Sequence, residues 1–378
     1  MDYLILGSGV AGISAVKELL KYRQPEDSIT VLSEESYPFY YRPRLIECIS
    51  GEVAIEDIII NDRQWFDNNK IDLHLQERAN SIDCQQQSVI TEQGVYNYDK
   101  LLLAHGAHSF VPPIDGIDDE RVFTLRHAED ALEIYRKARQ VDKAVVMGCG
   151  LLGLEISYNL MKAGVEATSL EVEDHLLPRQ LDHQAGKYLQ QKLEDMGLKF
   201  SLSAKTTSLV ASGDKLLVRL ADGRELEAGM VLLSTGVRSN TELLAETPIH
   251  INRAVTVNSR QETNVPGVYA AGDVAEVDGE FYGIWPPAMQ QGRVAGRNMA
   301  GQQEEFSGFV PSYKLKVVDI DVVSLGQLEA EAGDVVEVDQ GQDYYRKVIK
   351  NSDGKAVGAI LIGEVEDKQD IINSVKSS

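Results

Sequence analysis

The sequence predicts an α/β protein with two Rossmann-like domains of the ββα type, each able to bind a dinucleotide, and a small mixed α+β domain at the C-terminus. A strand, a glycine turn and a helix follow one another at the start of the chain, and the same unit recurs near its middle. Such a turn brings backbone against a pyrophosphate, and the helix offers it free N–H groups. After Phe306 the pattern changes to short strands, which predicts the separate small domain.

The first unit reads YLILGSGVAG, with a buried strand over residues 3–6 and a helix after the glycines. A second strand, residues 28–32, is followed by acidic Glu34, which lies near the distance needed to hold a ribose hydroxyl. A tight strand-to-helix turn beside a chance acid is the alternative interpretation. We expect the first nucleotide to contact Gly7, Gly9, Val10, Ala11, Gly12 and Glu34.

The second unit reads AVVMGCGLLG over residues 144–153, and its second strand, residues 166–170, ends at Glu171. Two such units are much less expected by chance than one. A carboxylate at Glu171 can accept hydrogen bonds from both ribose hydroxyls and repels a 2′-phosphate, and no arginine follows within three residues. The sequence therefore favours NADH over NADPH, with Gly148, Gly150, Gly153 and Glu171 as contacts.

Length and composition set the class of protein. A chain of 378 residues suggests two or three domains. With 37 basic and 59 acidic side chains, the formal charge of −22 repels nucleic acid and anionic membranes. No run approaches the roughly 20 apolar residues of a membrane span, and because a strand begins almost at the first residue we expect no signal peptide. Three scattered cysteines do not suggest a disulfide framework. We expect a cytoplasmic protein.

Between the two units lies an aromatic and basic stretch, residues 37–45. Its Arg42 could pair with phosphate in a fixed fork, and a packed surface loop is the alternative. A buried strand then ends in Ala104-His105-Gly106, and we expect no metal site at its histidine. Beyond the second unit, one strand ends at Gly236, another ends at Asp273, and a helix begins at Trp285. The C-terminal part reads as strands over 314–325, 335–338, 344–349 and 357–362 and a helix over 367–375.

In this order the motifs resemble the FAD/NAD(P)-dependent pyridine nucleotide-disulfide oxidoreductase family, and most of all its NADH:rubredoxin oxidoreductases and the flavin-binding front half of assimilatory nitrite reductases. The resemblance implies that the first unit binds FAD and the second binds NADH. It implies an FAD-binding domain from 1–112 and 234–305, an inserted NAD-binding domain over 113–233, and a C-terminal domain over 306–378. It further implies that FAD or NADH contacts Ala79, Ala104, Gly106, Gly236, Asp273 and Trp285.

The resemblance also implies a reaction, in which a hydride passes from NADH to FAD and Glu155 is a catalytic carboxylate near the nicotinamide. Disulfide reductases of this family carry a cysteine pair beside the flavin, but residues 39–47 contain no cysteine and Cys48 lies just beyond them. We therefore expect electrons to pass directly to a small iron protein such as rubredoxin. An NADH oxidase, linked to oxygen or peroxide, and a redox-sensing flavoprotein are the alternatives. We expect a monomer, since there is no shared disulfide site to complete.

Overall fold

The structure is a computed structural model that describes residues 1–309 and 313–377. The first 112 residues form eight strands and three helices, and short 3-10 turns precede and follow α2. The apolar run from Tyr3 to Leu6 forms a fully buried strand because both of its faces are covered. These elements are β1 Asp2–Leu6, α1 Val10–Tyr22, β2 Ser28–Ser33, α2 Leu45–Ser50, α3 Arg63–Asn68, β3 Asp72–Leu75, β4 Ala79–Asp83, β5 Ser88–Thr91, β6 Val95–Asn97, β7 Lys100–Leu103 and β8 Ala107–Ser109.

The following stretch repeats this order of strands and helices around the second glycine turn. Its elements are β9 Val122–Thr124, α4 Ala128–Ala138, β10 Lys143–Met147, α5 Leu151–Lys162, β11 Glu166–Leu170, α6 His183–Asp195, β12 Lys199–Ser201, β13 Thr206–Ser212, β14 Lys215–Leu220, β15 Glu225–Ala228 and β16 Met230–Leu233. The chain then continues through β17 Val237–Ser239, β18 Val255–Val257, β19 Val268–Ala270, β20 Ala275–Val277 and α7 Trp285–Met299.

Two five-stranded parallel sheets carry the two glycine turns. The first has the order β19-β7-β1-β2-β3 and the second the order β12-β11-β10-β16-β9. Each sheet places its glycine-turn strand at the centre, next to the strand that follows the helix. Strands β9 to β16 come between β8 and β17 in the chain, so the second sheet is formed entirely within the connection between strands of the first. The predicted α/β class is confirmed, and the domain boundaries stay a prediction.

The C-terminal part is a five-stranded antiparallel sheet with one helix packed on it. Its elements are β21 Tyr313–Val317, β22 Ile320–Gly326, β23 Val335–Gln340, β24 Tyr344–Lys350, β25 Ala356–Gly363 and α8 Lys368–Lys376, and the strand order is β21-β22-β25-β24-β23. The prediction of one strand over 314–325 was wrong, because Val318 and Asp319 form a tight turn within it. Both have positive φ, 50° and 66°, and neither is a glycine, so Asp319 alone was a weak signal for the turn.

Helices α1 and α7 pack face to face against the first sheet. A Cβ at Gly292 of α7 would lie 2.1 Å from the carbonyl oxygen of Ala11, so only glycine permits this approach. The packing holds the start of α1 and the start of α7 at one end of the sheet, where the site lies. Within the described residues, no helix is both long enough and apolar enough to cross a membrane.

Candidate dinucleotide sites

The first glycine turn connects β1 to α1 at the carboxyl end of the first sheet. The N–H of Gly7 donates to the carbonyl of Leu32 at 2.8 Å, which ties the turn to β2. A Cβ at Gly12 would lie 2.0 Å from the carbonyl oxygen of Gly7, so the helix can lie this close only with glycine there. Helix α1 begins after Gly9 without any side-chain cap, which leaves its first N–H groups for an anion.

A cavity of about 1010 Å³ opens directly in front of this turn. Ligand sites commonly measure roughly 300–1,000 Å³, so this one suits a large ligand. Its lining comes from the first sheet, from the loop before α2 and from the start of α7. Among the predicted contacts it brings together Gly7, Gly9, Val10, Ala11, Glu34, Arg42, Ala79, Ala104, Gly106, Asp273 and Trp285, while Gly12 lies beneath the turn and outside the lining.

Glu34 is the acid expected to hold the first ribose. It lies one residue beyond the position in the first unit that corresponds to Glu171 in the second. Leu32 bonds to the N–H of Gly7 as Leu170 bonds to the N–H of Gly148, so Ser33 corresponds to Glu171. Ser33 accepts a hydrogen bond from the hydroxyl of Ser8 at 2.9 Å. Glu34 also lines the cavity, and its carboxylate lies 3.8 Å from Arg78 Nε.

The second glycine turn holds its acid by backbone hydrogen bonds. Glu171 Oε2 accepts from the N–H of Cys149 at 2.8 Å, and Oε1 accepts from Val172 at 2.8 Å and Glu173 at 3.2 Å. Helix α5 begins at Gly150, again without a side-chain cap. Gly148, Gly150, Gly153, Glu171 and Gly236 all lie outside the lining of the large cavity, which separates this turn from the first site.

Arg42 and Arg126 are two of the three arginines that line the large cavity, and Arg78 is the third. Arg42 donates to Glu35 at 2.6 Å and to the carbonyl of Arg126. Burial alone would raise the pKa of Glu35, but Arg42 and His127 lower that pKa to about 2. Arg126 was not predicted, although it lines the cavity and donates to Asp273 at 2.8 Å. It precedes α4, far from Asp273 in the chain, so only the fold brings the two residues together.

Comparison with known proteins agrees with this architecture. Residues 1–292 match the family described as pyridine nucleotide-disulphide oxidoreductase, and residues 311–378 match the rubredoxin NAD+ reductase C-terminal domain. The chain belongs to the pyridine nucleotide-disulphide oxidoreductase family. FAD and NAD(P)H are the cofactors of this family, whose members are flavoprotein oxidoreductases, and the predicted family, cofactors and enzyme class are confirmed.

Three relatives and one solved structure illustrate what the chain is similar to. The chain is 34% identical to the nitrite reductase [NAD(P)H] of Bacillus subtilis over 99% of its own length, but it spans only 47% of that relative. It is 32% identical to the NADH-rubredoxin oxidoreductase of Clostridium acetobutylicum, covering 99% of this chain and 94% of the relative. A crystal structure of NADH:rubredoxin oxidoreductase from the same organism superimposes with a TM-score of 0.85 at 30% identity, covering 100% and 95% of the two chains. The NADH oxidase of Methanocaldococcus jannaschii is 30% identical to this chain, and the match covers 96% of this chain and 88% of the relative.

The large cavity and its backbone fit FAD. The uncapped start of α1 is a site for a pyrophosphate, and the cavity is large enough for a dinucleotide. Asp273 lies at the wall of the cavity and its carbonyl accepts from the hydroxyl of Ser239 at 2.8 Å. Trp285 opens α7 at the same cavity, so the positive end of that helix favours negative charge there.

Glu155, the predicted catalytic carboxylate, lies on α5 outside the lining of the FAD cavity. Its Oε1 accepts a hydrogen bond from the N–H of Val318 at 2.8 Å, which joins α5 to the β21–β22 turn. Burial raises the pKa of Glu155. Leu152, one helical turn earlier, does line the cavity. The catalytic role of Glu155 stays a prediction.

His105 lies in the wall of the cavity as a neutral imidazole. Its Nε2 lies 2.9 Å from the carbonyl of Asn240, a contact in which the imidazole donates, and burial lowers the pKa of His105 to about 4. The Asn240 amide donates in return to the carbonyl of His105 at 2.9 Å. The pair joins the end of β7 to the loop after β17.

All three cysteines are free. Cys48 is buried on α2, and burial followed by the charge of Glu47 raises its thiol pKa to about 11. Burial also raises the pKa of Cys149, which sits inside the second glycine turn. Within the part of the chain that the structure describes, the FAD cavity has no cysteine in its lining. A thiolate needs a low pKa and access to react, and neither Cys48 nor Cys149 has these properties.

Proposed function

We propose that this enzyme passes a hydride from NADH to FAD and then passes electrons to a small iron protein such as rubredoxin, without a redox-active disulfide. The observation that carries the proposal is a dinucleotide cavity whose described lining contains no cysteine. The C-terminal match to the rubredoxin NAD+ reductase domain and the similarity to an NADH-rubredoxin oxidoreductase support the choice of acceptor.

The residues of the first site would hold FAD by its charge and its hydroxyl groups. The backbone of Gly9, Val10 and Ala11 lines the cavity at the start of α1 and would face the pyrophosphate. Arg42 and Arg126 supply positive charge in the lining, and Asp273 supplies an acceptor. Each arginine already pairs with a carboxylate, which holds its guanidinium in place before any ligand arrives.

NADH is proposed as the physiological donor because of how Glu171 is held. Its carboxylate is fixed by three backbone N–H groups, so it cannot swing away from an incoming 2′-phosphate. Val172 and Glu173 follow it and offer no cation. A 2′-phosphate would meet a fixed negative charge, whereas ribose hydroxyls can donate to it.

Glu155 is proposed to hold the nicotinamide side of the second site. Its position on α5 one helical turn after Leu152, which lines the cavity, supports this role, and burial raises the pKa of Glu155. The Val318 N–H fixes one of its oxygens, so the other oxygen is the one available to a ligand.

Anaerobic turnover tests the proposal. NADH oxidation should be slow without an acceptor, should accelerate when purified rubredoxin is added, and should proceed with two rubredoxins reduced per NADH. Rapid NADH oxidation that needs oxygen and ignores rubredoxin would favour an NADH oxidase, the second candidate, which the similarity to the Methanocaldococcus jannaschii enzyme supports. We also propose a monomer, which light scattering at micromolar concentration tests.

A further inference from the structure

We propose that the surface formed by α1, α7 and the residue 39–41 segment is the docking site for an acidic electron-carrier protein. The inference rests on the proposed function, because it names the place where the carrier would receive electrons. It begins from two neighbouring features. One is a group of exposed apolar side chains at the cavity mouth, and the other is a row of cations beside it.

The first feature, the aromatic patch, reaches from the FAD cavity to the surface. Trp285 lines the cavity and stacks on Phe39 with 5.9 Å between ring centroids and 13° between planes. Tyr41 meets the same Trp285 edge-on at 5.0 Å and is 39% exposed. A single residue thus contacts both the cavity and a solvent-exposed ring. The patch consists of Tyr41, Ile60, Trp285 and Met289.

The other two members extend the patch across the surface. Ile60 is 46% exposed, and its N–H donates to the carbonyl of Phe39 at 2.9 Å, so it lies beside that segment. Met289 is 38% exposed and lies one helical turn after Trp285 on the same face of α7. Grouped exposed apolar side chains mark contact surfaces for other molecules more often than scattered ones do.

The second feature, the basic stripe, continues along the same two helices and consists of Lys17, Lys21, Arg293 and Arg297. Helices α1 and α7 together carry these four cations and a single acid, Glu18. That carboxylate is buried, and it pairs with Lys21 at 2.7 Å and with Arg297 at 2.9 Å. Arg293 lies 3.4 Å from it, and Glu304 also pairs with Arg297.

The stripe and the patch are continuous. Trp285, Met289 and Arg293 are spaced four residues apart, so they form one row along α7. Lys17 Nζ lies 5.6 Å from the ring centre of Phe39, the ring on which Trp285 stacks. A partner that covered the aromatic patch would therefore meet the cations as well.

Charge decides which partner fits. The whole chain has a formal charge of −22, so it repels an acidic protein at long range. The stripe reverses that sign locally, since four cations outnumber Glu18 and Glu304. A small acidic carrier with an apolar surround to its metal centre would be steered to the stripe and would cover the patch. Each NADH oxidised to NAD+ and a proton yields two electrons, so two carriers dock in turn and the Fe³⁺ of each accepts one electron to become Fe²⁺.

Two substitutions test the surface in the full-length holoenzyme. Met289→Glu adds an acid to the patch without touching an ion pair, and Arg293→Gln removes one cation while Lys21 and Arg297 still hold Glu18. The probe is a purified acidic rubredoxin, added in its oxidised form. The enzyme reduces it with NADH, anaerobically and at low salt. We expect kcat/KM for rubredoxin to fall about tenfold or more in Met289→Glu and roughly threefold in Arg293→Gln, with a weaker salt dependence in both.

The controls separate docking from catalysis. Val335→Glu makes the same apolar-to-acid change on β23, where Val335 is 58% exposed, and should leave rubredoxin reduction unchanged. Reduction of ferricyanide by NADH should be unaffected in every variant, because a small oxidant needs no docking surface. Equal losses with ferricyanide and rubredoxin, or no loss in Met289→Glu, would overturn the docking site alone. A wild-type enzyme that reduces ferricyanide but not rubredoxin would overturn the proposed acceptor and the docking site together.

Discussion

The two glycine turns share a backbone and differ in the polar groups that surround it. Gly7 and Gly148 bond to equivalent carbonyls, Leu32 and Leu170, at 2.8 and 2.7 Å. The next residue is Ser33 in the first unit and Glu171 in the second. The serine bonds to the hydroxyl of Ser8, whereas the glutamate is held by three backbone N–H groups. The two turns thus share a backbone suited to a phosphate, and we expect the side chains of Ser33 and Glu171 to influence which ribose each turn accepts.

The difference extends to the strand beside each turn. A Cβ at Gly7 would meet the carbonyl of Ala104, and one at Gly148 would meet the carbonyl of Ser234. Ala104-His105-Gly106 therefore corresponds to Ser234-Thr235-Gly236. In the first unit a neutral imidazole joins the strand to Asn240, and in the second the hydroxyl of Thr235 donates to the carbonyl of Phe110. The position that carries a small hydroxyl in the second unit carries an imidazole, which can titrate, in the first.

The largest effect is expected where both units need glycine. Gly12→Val and Gly153→Val would place side-chain atoms against the carbonyls of Gly7 and Gly148, which a new Cβ would approach to 2.0 and 1.9 Å. We expect Gly12→Val to purify without FAD, and Gly153→Val to keep FAD but lose reduction by NADH. Absorbance of bound flavin and stopped-flow reduction measure the two losses.

A matched control is Gly94→Val, because nothing lies within 4 Å of a Cβ at that position. It should keep both FAD and NADH activity. If Gly153→Val were to lose FAD as well, the two units would not be separable sites, and the assignment of one nucleotide to each would be wrong.

The next effect is a pH dependence that belongs to the first unit alone. The folded protein holds the pKa of His105 near 4, against 6.5 for a free imidazole, so the unfolded chain binds the proton first as pH falls. Stability from this group is fully present above pH 6.5 and is lost between pH 6.5 and 4, by roughly 3 kcal/mol at most. His105→Thr, which copies the second unit, should flatten the fall in Tm between pH 7 and 5.

Glu35 also makes stability depend on pH, but in a lower pH range, so it serves as a reference for the effect of His105. Its folded pKa of about 2 means that its stabilisation is present above its ordinary pKa of 4.5 and is lost below that value. The loss of stability below pH 4.5 that Glu35 causes should therefore be the same in wild type and in His105→Thr. A variant whose Tm falls between pH 7 and 5 as steeply as that of wild type would show that His105 is not the group responsible.

Much of this fold was predictable because its elements depend on local patterns. Four-residue apolar strands, glycine turns and the repeat of the whole unit all lie within short stretches of chain. The lining of the FAD cavity was predictable where motifs carried it, as at Gly7, Gly9 and Asp273. The predicted position of the ribose acid depended on counting along β2, and a count cannot tell which of Ser33 and Glu34 matches Glu171.

Contacts between distant segments were not predictable. Arg126 meets Asp273, and Val318 meets Glu155, only because two separate sheets bring those segments together. The turn at Val318 and Asp319 also escaped prediction, since it contains no glycine and its aspartate is only a weak signal for left-handed backbone. Ion pairs could not be predicted either. The sequence pointed to Arg42 as a candidate contact, but it did not show that Arg42 would pair with Glu35.

A smaller effect is expected from the acid that distinguishes the second unit. Glu171→Ala removes the carboxylate that ribose hydroxyls would bond to, and kcat/KM for NADH should fall about tenfold, near 1.4 kcal/mol. Adding Val172→Arg should raise kcat/KM for NADPH above that for NADH. Ser33→Ala, the matched change in the first unit, should leave this ratio as in wild type. Equal use of NADH and NADPH by the wild-type enzyme would contradict the role of Glu171.

The smallest effect is expected when two of the thiols are replaced by hydroxyl groups. One of these substitutions also makes the two glycine turns chemically alike. Cys149 occupies the position of Ser8, so Cys149→Ser gives the second turn the Gly-Ser-Gly sequence of the first. Cys48→Ser removes the buried thiol whose pKa is raised to about 11 and which lies outside the lining of the FAD cavity. Because neither thiol is placed to carry electrons, the double variant should keep NADH-to-dye turnover within about twofold of wild type, a difference of roughly 0.4 kcal/mol in barrier. Rapid-mixing reduction of the flavin by NADH, measured in both proteins, checks the half-reaction directly. A hundredfold loss, about 2.7 kcal/mol, with FAD content unchanged would mean that a cysteine takes part in turnover.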